Sequence, residues 1–235
     1  MSVQYDFDGQ VAVVTGAGGA LGGAVVEAFV ASGATVAGAD IVDPADVDLP
    51  DGATYHQGDF SDESAVADTM AEIVDAHGGI DCLVNVAGTW RGGDPLDETD
   101  VETFDFLFDV NLKTMFLASK HALPHLRNSD VDQGAIVSIS ARSSLEGGEG
   151  DSVYRATKAG VRILTESIAE ENLGEVRANA VMPSIIDTEM NREMMFDADY
   201  DTWPTPTEIA DVILFLCSDG ADVTSGAAVP VYGEA

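Results

Sequence analysis

In the stretch SISARSSLEGGEGDSVYRATK, from Ser138 to Lys158, a tyrosine and a lysine stand four residues apart. On a helix that spacing stacks Tyr154 and Lys158 on one face. A free phenol has a pKa of about 10, too high for a useful base near neutrality. An ammonium one turn away favours the phenolate and lowers that value, so the pair reads as an acid–base tyrosine tuned by a lysine. Only three lysines occur in the chain, Lys113, Lys120 and Lys158, and one of them falls here. The serine-rich start of the stretch offers hydroxyls at Ser140, Ser143 and Ser144, with a methyl group between them at Ala141.

These residues need a scaffold, and the hydropathy pattern describes one. Short β-rich apolar runs, VAVVT (11–15), ATVAGAD (34–40), TYHQGD (54–59), DCLVNVAG (81–88), GAIVSIS (134–140), EVRANAV (175–181) and AAVPVYG (227–233), alternate with longer helical stretches. That alternation implies βαβ crossovers and a doubly wound, mostly parallel, seven-stranded α/β sheet with helices on both faces. The length fits a single domain spanning 1–235, without internal repeats or a linker. The longest irregular segment, 183–206, carries Met190, Met194, Met195, Phe196, Tyr200 and Trp203. In such folds ligands sit beyond the carboxyl ends of the strands, so this segment is expected to cover the substrate, the alternative being that its Met and aromatic residues fill core.

The first strand empties into the turn TGAGGALG, Thr15 to Gly22, and then a helix. Glycines there let backbone N–H groups approach a pyrophosphate, and the helix N-terminus supplies positive potential. Asp40 closes the second strand 18 residues beyond Gly22. A carboxylate at that place accepts the ribose hydroxyls of an adenosine and repels a 2′-phosphate, and no Lys or Arg stands near to neutralise one. NAD is therefore expected ahead of NADP.

Charge is the outlying number, with 42 acidic residues against 10 basic ones and a net charge of −32. Repulsion on that scale opposes compaction and excludes nucleic acid and anionic membranes as partners. Concentrated salt removes most of the penalty, since the screening length falls to about 3 Å at 1 M. The acidity thus describes a salt-rich cytoplasm and not the reaction. No apolar run is long enough to cross a bilayer, and MSVQYDFDGQ lacks the blocks of a signal peptide, so a soluble cytoplasmic protein is expected. Cys82 and Cys217 lie far apart in apolar runs and read as buried thiols. His121 and His125 have the spacing of a metal face but no third ligand or intervening Glu, so no metal is expected.

The motifs in their order resemble the short-chain dehydrogenase/reductase family, of the general 3-oxoacyl-reductase type. Thr15 to Gly22 is similar to its T-G-x-x-x-G-x-G turn with Ala20 for the middle glycine. N85-V-A-G88 resembles N-N-A-G with Val86 at the second Asn, Y154-R-A-T-K158 is Y-x-x-x-K, and M182-P-S-I-I-D-T188 resembles P-G-x-x-x-T with Ser184 for glycine. The resemblance implies a Rossmann fold and a hydride exchanged between nicotinamide and a small carbonyl, alcohol or conjugated substrate. It implies Tyr154 as proton donor or acceptor, Lys158 as tuner and ribose ligand, and Asn111 in VNLKTMF as the anchor of a water joining Lys158 to solvent. It further implies a cofactor laid along Gly16, Gly18, Gly19, Ala20, Leu21, Gly22, Asp40, Ile41, Asp59, Phe60, Asn85, Ala87, Gly88, Ile186 and Thr188, together with Tyr154 and Lys158. Its members pair through the helices of Asn111 and Tyr154, which implies a homodimer or homotetramer.

One departure is chemical. The family places a serine 13 residues before the tyrosine to donate to the substrate oxygen, and that position is Ala141. Losing one such donor costs about 10²–10³ in rate. Ser140 is next to it, but adjacent strand residues point to opposite faces, so it reaches the site only where the strand breaks its alternation. Ser143 and Ser144 lie further into the loop and could fold back. A-R-S-S-L-E-G-G-E-G locally resembles dihydropteridine reductases, where alanine also occupies the serine position and the substrate is a conjugated ring. The gap also permits another class, a cofactor-binding sensor or structural homologue with weak or no catalysis.

Overall fold

The structure, a computed structural model, describes residues 5–129 and 131–234; the first four residues of the opening stretch lie outside the described residues. Seven strands form one sheet: β1 (Val11–Thr15), β2 (Thr35–Asp40), β3 (Ala53–Gln57), β4 (Cys82–Asn85), β5 (Gly134–Ile139), β6 (Val176–Pro183) and β7 (Ala228–Val231). Their spatial order is β3-β2-β1-β4-β5-β6-β7, and every pairing is parallel. The helices are α1 (Ala20–Ala31), α2 (Glu63–His77), α3 (Val101–Phe108), α4 (Thr114–Leu126), α5 (Ser152–Glu171), α6 (Glu189–Met194) and α7 (Pro206–Cys217).

Alternation along β1 shows how the sheet is covered. Val14 packs with Val25, Phe29 and Ile213 of α1 and α7 on one face. Val13 packs with Val66, Ile73 and Leu117 of α2 and α4 on the other. Both faces are buried, which is why the central strands read as continuous apolar runs. The chain leaves β1 toward β2 and β3, then crosses back to β4, so the strand order reverses between β1 and β4. That reversal opens a crevice at the carboxyl ends of the two strands.

Two stretches have local features that the hydropathy pattern does not show. Along 103–126 a π-helical turn at Asp109–Lys113 separates α3 from α4. The segment 183–206 is not wholly irregular, because Thr188 caps α6 by accepting from Asn191 N, and a 3₁₀ turn follows at Tyr200–Thr202. Beyond it α7 begins with a reciprocal Thr205 and Glu208 capping box and Pro206 in its first turn.

Candidate active site

The glycine turn after β1 has no room for side chains. Gly16 has φ +70°, and a Cβ on Gly22 would lie 1.9 Å from the Gly16 carbonyl oxygen. Thr15 Oγ1 accepts from Val86 N and Ala87 N, each at 3.2 Å, which ties this turn to the loop after β4. Asp40 holds the turn from the other side: its Oδ2 accepts from Gly18 N at 2.9 Å and its Oδ1 from Ile41 N at 2.7 Å. The start of α1 carries neither a side-chain cap nor an acidic residue in its first turn. The starts of α4 and α5 share this, whereas α2, α3, α6 and α7 each have both. In a chain this acidic, an uncapped, acid-free helix start beside a glycine cradle suits a phosphate group.

From this turn a cavity of about 1460 Å³ runs over the ends of β1, β4, β5 and β6 to Tyr154. That volume exceeds the 300–1,000 Å³ common for small-ligand pockets, leaving room for a dinucleotide and a small substrate. Gly16, Gly19, Ala20, Leu21, Gly22, Asp40 and Ile41 line it, as do Asp59, Phe60, Ala87, Gly88, Ile186 and Thr188. Asp59 is exposed, with its Oδ1 accepting from both Ser61 N and Ser61 Oγ. Two expected cofactor residues stand off the wall. Gly18 reaches the site only through its N–H to Asp40. Asn85 is buried, with Nδ2 donating to Ser119 Oγ and Ser138 Oγ, because strand alternation turns it inward.

At the far end α5 presents Tyr154 and Lys158. Lys158 is buried, its Nζ donates to Ile139 O at 2.9 Å, and a Cβ on Gly88 would lie 3.0 Å from that nitrogen. Burial pulls the Lys158 ammonium down to about 8. In the protein alone, Tyr154 does not show the lowering expected from its lysine. Burial first and the Asp151 carboxylate second push its phenol up to about 12, while Arg155 works the other way. Lys158 does not offset this, because its Nζ lies 6.0 Å from the tyrosine ring centre and is turned to the end of β5. Asn111 sits in the π-helical turn, 1% exposed, and its side chain bonds Thr89 and Thr157.

Ser140 follows the strand rule. Its Oγ donates to the Lys158 carbonyl at 2.8 Å, so its one O–H is already engaged with α5. Ser144 is buried with Oγ donating to Met182 Sδ. Ala141 lines the cavity with its methyl, and Ser143 lines it with a hydroxyl. The segment 183–206 divides by role: Trp203 is buried against Tyr200, whereas Met190, Met194 and Met195 are exposed at the cavity mouth. Sequence reasoning passed over Asp151, whose signal was its i,i+4 spacing to Arg155, and the polar partners of Asn85, which carry no local signal.

Residues 10–198 match the family model described as short chain dehydrogenase. The chain is 35% identical over 252 residues to a meso-2,3-butanediol dehydrogenase of Serratia marcescens, covering 97% of this chain and 95% of that protein. It is 34% identical over 242 residues to a cis-4-hydroxycyclohexanecarboxylate dehydrogenase of Sinomonas cyclohexanicum, covering 97% and 96%. Among solved structures, the ligand-free aldohexose dehydrogenase of Thermoplasma acidophilum superposes with a TM-score of 0.87 at 28% identity, covering 99% of this chain and 95% of that one.

Proposed function

The chain belongs to the short chain dehydrogenase family, an oxidoreductase acting on CH–OH or C=O groups, and from that premise we propose that it uses NAD(H), with Tyr154 as the acid–base group, on a small carbonyl, alcohol or conjugated substrate. The family's dinucleotide supplies or accepts the hydride at its nicotinamide. Gly16 to Gly22 and the start of α1 would hold its pyrophosphate, Asp40 its adenosine ribose, Lys158 its second ribose, and Ile186 and Thr188 its carboxamide end. Tyr154 hands its phenolic proton to the substrate oxygen as that oxygen gains the electron pair of the former carbonyl bond. In oxidation the phenolate takes the proton back, and nearby positive charge must offset the burial that holds the phenol near 12.

The observation that carries this reading is one cavity that joins the glycine cradle to Tyr154 and Lys158. The choice of NAD rests on Asp40. The three basic residues on the cavity wall, Arg142, Arg155 and Lys158, all come from the loop after β5 and from α5, and none from the glycine turn or the end of β2. Substrates resembling those in the relatives' names, vicinal diols, hydroxylated rings and sugars, form the first panel. Residues 183–206 serve as the lid, with the methionines toward the substrate and Trp203 as the fixed hinge side. Exposed Phe116 on α4 and Ile163 on α5 support self-association as a dimer or tetramer. The acidic surface supports a salt-rich cytoplasm as the working medium.

The test is NADH oxidation in molar salt against acetoin, 2,3-butanedione, cyclohexanones, aldohexoses and quinones, for wild type and Tyr154→Phe. Turnover by wild type and a loss of about 10²–10⁴-fold in the variant are expected. Equal rates would refute Tyr154 as the acid–base group. A second reading, a cofactor sensor, is favoured by the Ala141 methyl on the cavity wall. It takes precedence if NADH binds tightly while nothing in the panel turns over.

A further inference from the structure

A carbonyl oxygen that becomes an alkoxide has two acceptor sites and a growing negative charge, so a second donor beside Tyr154 stabilises the transition state. The hydroxyls on the cavity wall can be sorted by what their O–H already does. Ser61 donates to Asp59, Thr114 to the Val110 carbonyl, Ser140 to the Lys158 carbonyl and Ser184 to the Tyr232 carbonyl. Thr15 and Thr188 accept backbone N–H groups at the glycine turn and at the start of α6. Among the described residues this leaves, besides Tyr154 itself, Thr89 and Ser143 on the wall with hydroxyls that bond no protein atom.

Position separates the two. Thr89 follows β4, and its backbone is fixed to Asn111. Ser143 belongs to the 3₁₀ turn Arg142–Leu145, which leaves the end of β5 directly after Ala141. That turn is closed by Ser144 N donating to the Ala141 carbonyl at 3.0 Å, and it packs on α5, the helix that carries Tyr154. Ser143 is half-buried, so its hydroxyl can exchange water for a ligand without stranding a polar group.

We propose that Ser143 donates the second hydrogen bond to the substrate oxygen, filling the place that the methyl of Ala141 leaves open. This rests on the oxidoreductase reading above. Ser143 makes and breaks no covalent bond; its hydrogen bond to the oxygen shortens as charge develops there.

The test compares Ser143→Ala, Ser143→Thr, Ser140→Ala, Thr89→Val and Tyr154→Phe, each with NADH and the ketone that wild type reduces fastest. Ser143→Ala should lower kcat by about 10²–10³-fold with NADH affinity unchanged, and Ser143→Thr should restore it to within about tenfold. Trifluoroethanol, titrated into the nucleotide complex and followed by NADH displacement fluorescence, should bind Ser143→Ala at least about tenfold more weakly than wild type, by the loss of one hydrogen bond. The proposal is overturned if Ser143→Ala keeps kcat and trifluoroethanol affinity, or if the loss appears in Thr89→Val or Ser140→Ala instead. Should Tyr154→Phe stay active, the broader reading fails; a dead Tyr154→Phe beside an active Ser143→Ala removes only the role of Ser143.

Discussion

Asn111 and Thr89 close a two-bond ring: Thr89 N donates to Asn111 Oδ1 at 2.7 Å, and Asn111 Nδ2 donates to the Thr89 carbonyl at 3.0 Å. The side chain is thereby engaged in holding the loop after β4 against the π-helical turn. Asn111→Leu keeps the branched shape and removes both bonds to Thr89 together with the one to Thr157. It should cost about 2–4 kcal/mol in denaturant unfolding at fixed salt, since two backbone groups lose their partners. A change under about 0.5 kcal/mol, the size of an ordinary surface substitution, would contradict the clamp.

Asp151 sits at the start of α5, ion-paired to Arg155 at 2.5 Å, and its charge helps hold the Tyr154 phenol up. Asp151→Asn removes a charge that opposes the phenolate and leaves Arg155, which favours it. The ascending limb of alcohol oxidation, read from kcat/KM against pH, should move to lower pH. A move to higher pH would show that Asp151 acts through structure and not through its field.

Lys158 links the site to stability. Its folded value of about 8 lies below the ordinary 10.5, so below pH 8 the native state carries a buried ammonium at a cost. Between pH 8 and 10.5 the unfolded chain binds more protons, and this group's contribution to stability rises with pH. Tyr154, raised from 10 to about 12, acts in the opposite sense, since the native state keeps its proton and stability falls from pH 10 upward. Lys158→Met should abolish turnover yet stabilise the fold by about 3–4 kcal/mol at pH 7, at about 1.4 kcal/mol per pKa unit. Melting curves of the two proteins should converge near pH 10.5.

Asp40 both holds the glycine turn and faces the cavity. Asp40→Ala should weaken NADH binding about tenfold or more and narrow the preference over NADPH by a similar factor, because a charge-assisted hydrogen bond and a repulsive charge are lost together. Nucleotide titrations by fluorescence measure both, and an unaltered ratio would detach Asp40 from the choice of cofactor.

With a net charge of −32, stability should climb with salt. The melting temperature should rise steadily from about 0.1 M to beyond 1 M KCl, as the screening length falls from about 10 to 3 Å. A maximum at low salt would remove the argument from acidity.

The strand pattern was legible because each central strand is buried on both faces: VAVVT and GAIVSI announce β1 and β5 without help from the rest of the chain. The Tyr154 and Lys158 pair, the glycine turn and Asp40 were legible for the same local reason, since spacing alone puts them at strand ends or on one helix face. The opposite shift of Tyr154 was not, because desolvation depends on what packs around the phenol and no motif records that. The inward turn of Asn85 depends on Ser119 and Ser138, which are 34 and 53 residues away. The break at Asn111 needed the Thr89 backbone, contributed by another loop, to be seen.

Lys158 is joined to the end of β5 twice and in opposite senses, its Nζ donating to Ile139 O and its own carbonyl accepting from Ser140 Oγ. The ammonium therefore acquires its position and its lowered basicity only when strand and helix have docked. The lowered basicity of Lys158 is thus a property of tertiary assembly and not of the helix alone.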